Sequence, residues 1–377
     1  MSMFLAIYFL VFGGMNVYVA LRARAAFGFE LRGTIFLVLW VIVMVGGPIL
    51  VRVLERNGVM TGIRPATYML NIWFGLVFLL FVSGLTVDVV RLVLYLAPRL
   101  GAKSFVITPQ TAFIVMAAMG LMVFVYGLYE ARGLKVERYS VTSPKIPAGM
   151  PFMKIVQITD VHLGHMNGEG RLRRVVEVIK AEEPDILVST GDLVDGGIRE
   201  HETLAMMLGE INAPLGKYAV LGNHEFYVGM KESIWFVERA GFVMLRDNGA
   251  IVNEALQISG ADYHSSERGG NPSATSDQPY DRFRLLLKHV PHVSEKDEFD
   301  LQLSGHTHNG QIFPFRYITA TVFPYLAGVY DLGGSRIYVS RGTGSWGPPV
   351  RVLSPPELTV FELKHGTEFS MERMVSR

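Results

Sequence analysis

The stretch Ser304-Gly305-His306-Thr307-His308-Asn309-Gly310-Gln311 follows residues 299–303, which read as a buried strand. Alternation in an extended chain sends His306 and His308 to one side and Thr307 to the other. Neutral imidazole is the commonest metal ligand, but a solitary His-x-His is more often plain loop. The rest of the chain changes that balance. Asp160 and His162 follow the apolar run 155–158, and Gly191-Asp192-Leu193-Val194-Asp195 follows 186–188. Gly222-Asn223-His224-Glu225 follows 218–221, and His289 follows 285–287. Each time a short apolar strand ends in ligand-type residues, often beside glycine. In open α/β sheets the site lies outside the carboxyl ends of the strands, so these side chains are expected to converge.

The motifs D-x-H, G-D-x-x-D, G-N-H-[DE], a lone His and G-H-x-H occur in that order between residues 154 and 308. In this set the chain resembles the calcineurin-like metallophosphoesterase superfamily. The resemblance implies two divalent metal ions. Asp160, His162 and His308 would hold one; Asn223, His289 and His306 would hold the other; Asp192 would bridge them. Carboxylates with imidazoles and one amide suit manganese, iron or zinc better than calcium, and manganese is the expected metal. Two ions about 3.5–4 Å apart clamp both oxygens of an in-line displacement. A shared carboxylate offsets the repulsion between two dications. His224 resembles the family's non-ligand histidine, a general acid or a stabiliser of phosphoryl charge, with Asp195 fixing its tautomer. Gly196 stands where the phosphoprotein phosphatases carry arginine, which argues against a Ser/Thr protein phosphatase. His165 has no slot in the motifs and reads as ordinary loop.

Composition divides the chain. Of its 377 residues 50% are hydrophobic and 18% charged, with no cysteine, so disulfides and thiolate metal sites are excluded. Residues 1–129 hold nine Lys/Arg against three Asp/Glu, and all ten histidines lie beyond residue 160. The total charge of +1 gives no case for nucleic acid as a partner. Apolar stretches at 3–21, 33–51, 68–86 and 111–129 are each long enough to span a bilayer. A signal peptide fits the first poorly, because no Lys or Arg precedes it and further such stretches follow. Gly46-Gly47-Pro48 is a candidate kink, and residues 87–97 either extend the third span or lie along the interface. The Lys/Arg counts of the loops nearly tie. The uncharged N-terminus beside Arg22 and Arg24 favours an outside N-terminus, which with four spans puts the later domain outside the cytoplasm.

The expected organisation is a transmembrane helical domain over 1–131, a Pro-bearing extended linker over 132–151 and a metallophosphoesterase domain over 152–377. In the last, strands and helices alternate at first and strands crowd together later. That pattern suggests a two-sheet α/β sandwich flanked by helices, which the resemblance also implies. Residues 263–281, rich in Ser, Gly, Pro, Asn and Asp, read as a surface loop.

The stretch from Arg341 to Arg351, with G-H-T-H-x-G-Q and Pro355-Pro356-Glu357, resembles a smaller bacterial branch of the superfamily. That branch includes membrane-attached phosphodiesterases and an enzyme that hydrolyses UDP-2,3-diacylglucosamine. The similarity extends to transmembrane proteins with a metallophosphoesterase domain. The expected protein is thus a membrane-integral phosphoesterase, in a bacterial inner membrane, cleaving a phosphodiester or pyrophosphate bond of a lipid-linked substrate. A phosphodiesterase of soluble substrates with the helices as mere anchor is the alternative. A non-catalytic scaffold would have lost ligands, and a transporter would carry more intramembrane charge than Asp88. Oligomeric state is left open. Aromatic residues crowd the segment after the histidines, Ile312-Phe313-Pro314-Phe315-Arg316-Tyr317 and Val322-Phe323-Pro324-Tyr325-Leu326. They either complete the core or form an apolar flap carrying Phe315 and Phe323. In the second case Arg341 and Arg351 would flank the phosphate and Trp346 would sit at the membrane interface.

Overall fold

The computed structural model describes residues 2–59, 61–196, 201–263, 282–294 and 298–374. Nearly all of the expected loop at 263–281 lies outside them. The chain divides into two compact units. One comprises Met1–Tyr129 with Gly347–Val350, the other Glu130–Trp346 with Arg351–Arg377.

The first unit is built of apolar helices. Among the described residues four are long and apolar enough to cross a membrane: Leu5–Phe27, Leu31–Arg56, Ile63–Leu100 and Pro109–Arg132. Within the first span a π-helical turn, Phe9–Gly13, leads into α1 (Gly14–Phe27). Helix α2 (Leu31–Arg56) runs unbroken through Pro48, and α3 (Ile63–Leu96) continues through the segment that sequence left as either helix or interface. The fourth is α4 (Pro109–Arg132). Phe12, Val45, Val77 and Met116 meet in its core. Asp88, the one acidic side chain of α3, is paired with Arg22 and accepts the Tyr18 hydroxyl at 2.7 Å. These contacts tie α1 to α3.

The second unit is a two-sheet sandwich. In chain order the strands of its two large sheets, apart from the short pair Leu163–Gly164 and Val194–Gly196, are β1 (Lys135–Ser143), β2 (Met153–Ile158), β3 (Ile186–Ser189), β4 (Lys217–Ala219), β5 (Val243–Met244), β6 (Asn248–Ile251) and β7 (Leu256–Ala261). There follow β8 (Phe283–Lys288), β9 (Leu301–Ser304), β10 (Gly328–Asp331), β11 (Arg336–Val339), β12 (Glu357–His365) and β13 (Ser370–Arg373). Among the described residues one sheet has the order β13-β1-β12-β2-β3-β4-β5 and the other β10-β11-β9-β8-β7-β6. Alternation along β2 fixes the layering. Ile155 faces the second sheet and packs with Leu285, Leu303 and Phe361. Val156 and Ile158 face outward onto helices α5 (Glu169–Glu182), α6 (His201–Gly209) and α8 (Met230–Arg239; α7 is the short Asn223–Val228), through residues such as Leu172, Leu204 and Phe236.

The expected linker is corrected in its middle. Residues 135–143 form a nine-residue strand that pairs in parallel with β12, from Lys135↔Glu357 to Ser143↔His365. Val141 is buried, and so is Glu137, which is paired with Arg341. A buried carboxylate and a neighbourhood of prolines disguised a half-buried strand as tether.

Candidate metal centre

The chain assembles this site from strand ends. Beyond β2 stand Asp160 and His162, beyond β3 Asp192 and Asp195, at the start of α7 Asn223 and His224, beyond β8 His289, and beyond β9 His306 and His308. Asp160, His162, Asp192, His306 and His308 all have φ between 49° and 70°. Left-handed backbone at non-glycine residues is uncommon and clusters at functional sites. It turns each side chain sharply off its strand toward a common centre. The motif glycines have a different task. A Cβ at Gly305 would strike the Asp160 carboxylate and Thr159, and one at Gly222 would strike the Asp192 carboxylate. They are glycine because ligand-bearing backbones pass within touching distance.

Among the described residues three groups of ligand atoms form, one of them His162, Asp195 and His224 at the edge of the site; the other two lie at its centre. Asp160, His162 and His308 bring one atom each to within 4.8 Å of one another, and so do Asp192, His289 and His306. In the first, the Nε2 atoms of His162 and His308 approach to 3.1 Å, and His308 Nε2 lies 3.2 Å from Asp160 Oδ1. In the second, His306 Nδ1 lies 3.1 Å from His289 Nε2, itself 3.2 Å from Asp192 Oδ2. His289 Nδ1 donates to the Thr190 carbonyl at 2.8 Å, which leaves Nε2 to face the centre.

Electrostatics favour positive charge here. Burial pushes His162 and His306 down to about 4, so both are neutral with lone pairs available. Burial also works against charge on His289, yet the Asp192 and Asp160 carboxylates pull it up to about 10. Against the cost of burial, those carboxylates are held well below the ordinary aspartate range by the surrounding histidines. Asn223 Oδ1 is buried without a hydrogen-bond partner. A buried amide oxygen left unpaired costs free energy, and an ion beside Asp192 and His289 would satisfy it. The residues present fit divalent cations.

His224 and Asp195 stand at the edge. His224 Nδ1 meets Asp195 Oδ1 at 2.5 Å, while its Nε2 is 4.0 Å from Asp192 Oδ2. Burial opposes protonation of His224, but the hydrogen bond to Asp195 and the Asp192 charge outweigh it and raise the group to about 9. Trp346, half exposed, presents its ring 6.2 Å from the His224 ring. Gln311 holds the Trp346 backbone from both sides, accepting its N–H at 2.9 Å and donating to its carbonyl at 2.8 Å. Tyr227 packs on the same imidazole at 5.4 Å.

Two expected substrate contacts are corrected. The Arg351 guanidinium is fully buried and donates to the carbonyls of Arg341, Gly344 and Ser354 and to His308 Nδ1. Arg341 is held by Glu137 and Glu357. Neither flanks an open phosphate position. In a Gly- and Pro-rich stretch both looked exposed, but that stretch folds inward over its own carbonyls. The apolar segment after the histidines divides. Ile312 and Leu326 are buried, whereas Phe313, Phe315, Tyr317, Ile318 and Val322 are exposed. Phe323 packs edge-on against the His306 ring at 5.1 Å.

Glu225 closes the G-N-H-[DE] motif, which by itself assigns it no role. It is buried and accepts four backbone N–H groups, from Asp192, Leu193, Val194 and Gly222, at 2.6–3.1 Å. Burial and the Asp192 charge push it up to about 7, against the pull of those donors. It ties the Asp192 loop to the start of α7. Its place one residue after His224 was the available signal.

A two-sheet α/β sandwich with buried acids, imidazoles and an unpaired amide at its strand ends defines a metal-dependent hydrolase site. The family model of calcineurin-like phosphoesterases matches residues 153–310. An uncharacterized metallophosphoesterase of Aquifex aeolicus is 41% identical over 249 residues, covering 63% of this chain and 95% of that protein. One of Campylobacter jejuni is 28% identical over 376 residues, 94% of this chain and 96% of that protein. A transmembrane protein with metallophosphoesterase domain of Danio rerio is 30% identical over 266 residues, 64% of this chain and 60% of that protein. The chain belongs to the calcineurin-like phosphoesterase family. It joins a membrane-helix unit to a phosphoester hydrolase domain, and its family implies divalent metal ions.

Proposed function

We propose that this protein is a dinuclear-metal phosphoesterase acting on a phosphodiester or pyrophosphate bond of a lipid-linked substrate at the bilayer surface. Asp160, His162 and His308 would hold one ion and Asn223, His289 and His306 the other, with Asp192 shared; manganese suits this donor set, with iron or zinc as alternatives. Bound there, the ions would supply Lewis-acid activation of water and of the phosphoryl oxygens. His224, kept protonated by Asp195, gives its proton to the leaving oxygen. Glu225 keeps Asp192 in position while charge develops.

One observation carries the choice of substrate. Apolar side chains from Phe313 to Val322 stand exposed on a turn whose far end, Phe323, packs on His306. Exposed apolar clusters mark membrane or ligand surfaces, and this chain carries helices long enough to place it in a membrane. We place the catalytic unit outside the cytoplasm, on the charge-poor N-terminus preceding Arg22 and Arg24.

The test is hydrolysis by the purified full chain with added Mn²⁺, comparing lipid pyrophosphates, phospholipids and soluble diesters. Preference for a lipid substrate is expected; equal or better turnover of soluble diesters alone would reject it. Asp192→Asn should abolish turnover and reduce bound metal, because it removes the shared charge. Full activity in that variant would end the two-ion reading.

A further inference from the structure

The two ligand groups are supported from different places. Asp192 and the start of α7 are tied by Glu225, and His289 by the Thr190 carbonyl. Asp160 and His162 share part of that support, since their N–H groups donate to the Gly191 and Asp192 carbonyls at 2.9 and 3.0 Å, and the Asp160 carboxylate accepts the His306 N–H at 3.1 Å. Asp160, His162 and His308 are in addition all backed by residues 343–345 and 351–354. Gly344 N–H donates to the Asp160 carbonyl at 2.9 Å. Asn167 donates its amide to the carbonyls of His162 and Ser345, at 3.1 and 2.9 Å. The Ser354 hydroxyl donates to the His308 carbonyl at 2.7 Å, and Arg351 reaches His308 Nδ1 at 3.0 Å.

Those residues are themselves held by the end of α4. The unit boundary falls between Tyr129 and Glu130, so the last residues of the fourth candidate span group with the catalytic unit. Glu130 accepts the Ser354 N–H at 2.7 Å and the Leu353 N–H at 3.3 Å. Leu353 has φ of 56°, a left-handed backbone that a leucine adopts only when its surroundings hold it there. Arg171 closes the other side. It donates to the Ala131 and Arg132 carbonyls at the helix end, at 2.9 and 3.2 Å, and to the Thr343 carbonyl at 2.8 Å. A cation at a helix C-terminus is favourable by itself. Here the same guanidinium fastens the helix end to the residue next to Gly344.

We propose that Glu130 and Arg171 are positioning residues through which the terminal turn of a membrane helix sets the first ligand group, Asp160, His162 and His308, directly, and reaches the second only through the Asp160 contact with His306. Glu130 fixes the backbone of Leu353 and Ser354; Ser354 then orients His308 and supports Arg351 behind it. Arg171 fixes Thr343 and with it the Asp160 carbonyl. Residues 130–132 are therefore part of the metal centre's scaffold. This rests on the two-ion reading above.

The experiment titrates Mn²⁺ into metal-free full-length protein by calorimetry, with bound metal counted afterwards. Wild type is expected to show two binding steps. Glu130→Ala should weaken one step by about 10–100-fold, the range seen when an outer partner of a ligand is lost, and the other clearly less. Glu130→Gln keeps one acceptor oxygen and should fall in between. Ser354→Ala, which removes only the hydroxyl at His308, should weaken the same step and serves as the decisive variant if Glu130→Ala fails to fold. Glu182→Gln, at an ion pair with Arg138 away from these segments, should leave both steps intact. Equal weakening of both steps, or none, in the Glu130 and Ser354 variants overturns the proposal. A single step in wild type would instead reject the two-ion reading itself.

Discussion

His224 and Asp195 form a hydrogen-bonded pair at the edge of the candidate metal centre. The imidazole is raised to about 9 although burial works against its charge. Its acid form is therefore fully present below neutral pH and is lost as pH rises through that value. Asp195→Asn removes the hydrogen-bonded charge, so the alkaline limb of the kcat profile should move down by about one pH unit or more. An unmoved limb would mean that another group gives up the proton. His224→Ala should keep its metals while turnover falls about 10²–10⁴-fold; parallel loss of metal would make His224 a ligand. Arg341 should behave in the opposite way. Its partners Glu137 and Glu357 are buried, and removing one member of a buried ion pair costs about 3–5 kcal/mol. Arg341→Met should thus lower the Tm with KM little changed. A raised KM at normal stability would restore it to the substrate. At this scale the sequence was informative wherever a ligand follows an apolar run, as with Asp160, Asp192 and His289. It was blind to the left-handed backbone of His306 and Asp160, since nothing in a non-glycine residue announces positive φ. It misplaced Arg351, because charge within Gly-Thr-Gly-Ser-Trp reads as solvent-facing until its carbonyl partners are seen.

Among elements, the turn from Phe313 to Val322 offers the cleanest division of roles. Phe323 packs on His306, so substituting it disturbs the metal group as well as the surface. Phe315 and Tyr317 are exposed. The double variant Phe315→Ser, Tyr317→Ser should fold, keep its metals and hydrolyse a small soluble diester, yet lose activity on substrate in lipid vesicles. Loss on both substrates would place these rings in the fold. Helices such as α5 were legible because Leu172, Val175, Val176 and Ile179 repeat at helical spacing and all are buried. Strand β1 was not, because its alternation includes Glu137 and Arg138 and prolines follow it closely. The same polar side chains that hid it are paired in the folded sheet, Glu137 with Arg341 and Arg138 with Glu182.

For the whole molecule, orientation is the open variable with the largest consequence for substrate. A reporter joined after Gly133, before β1 begins, should behave as extracytoplasmic. A cytoplasmic signal would reverse the assignment and turn the search toward nucleotide-linked lipids. The same strand governs the order in which this protein comes into being. Lys135, three residues beyond α4, pairs with Glu357, and β1 runs beside β12 along its whole length. During synthesis β1 leaves the ribosome directly after the last apolar helix and must wait for more than half the chain before its neighbour exists. Contacts between such distant residues form late, and an unpaired strand edge invites association with other chains. The sheet of the second unit is therefore closed at β1 by strands made long after it, and a chain cut short before Glu357 would leave the ribosome with that edge open.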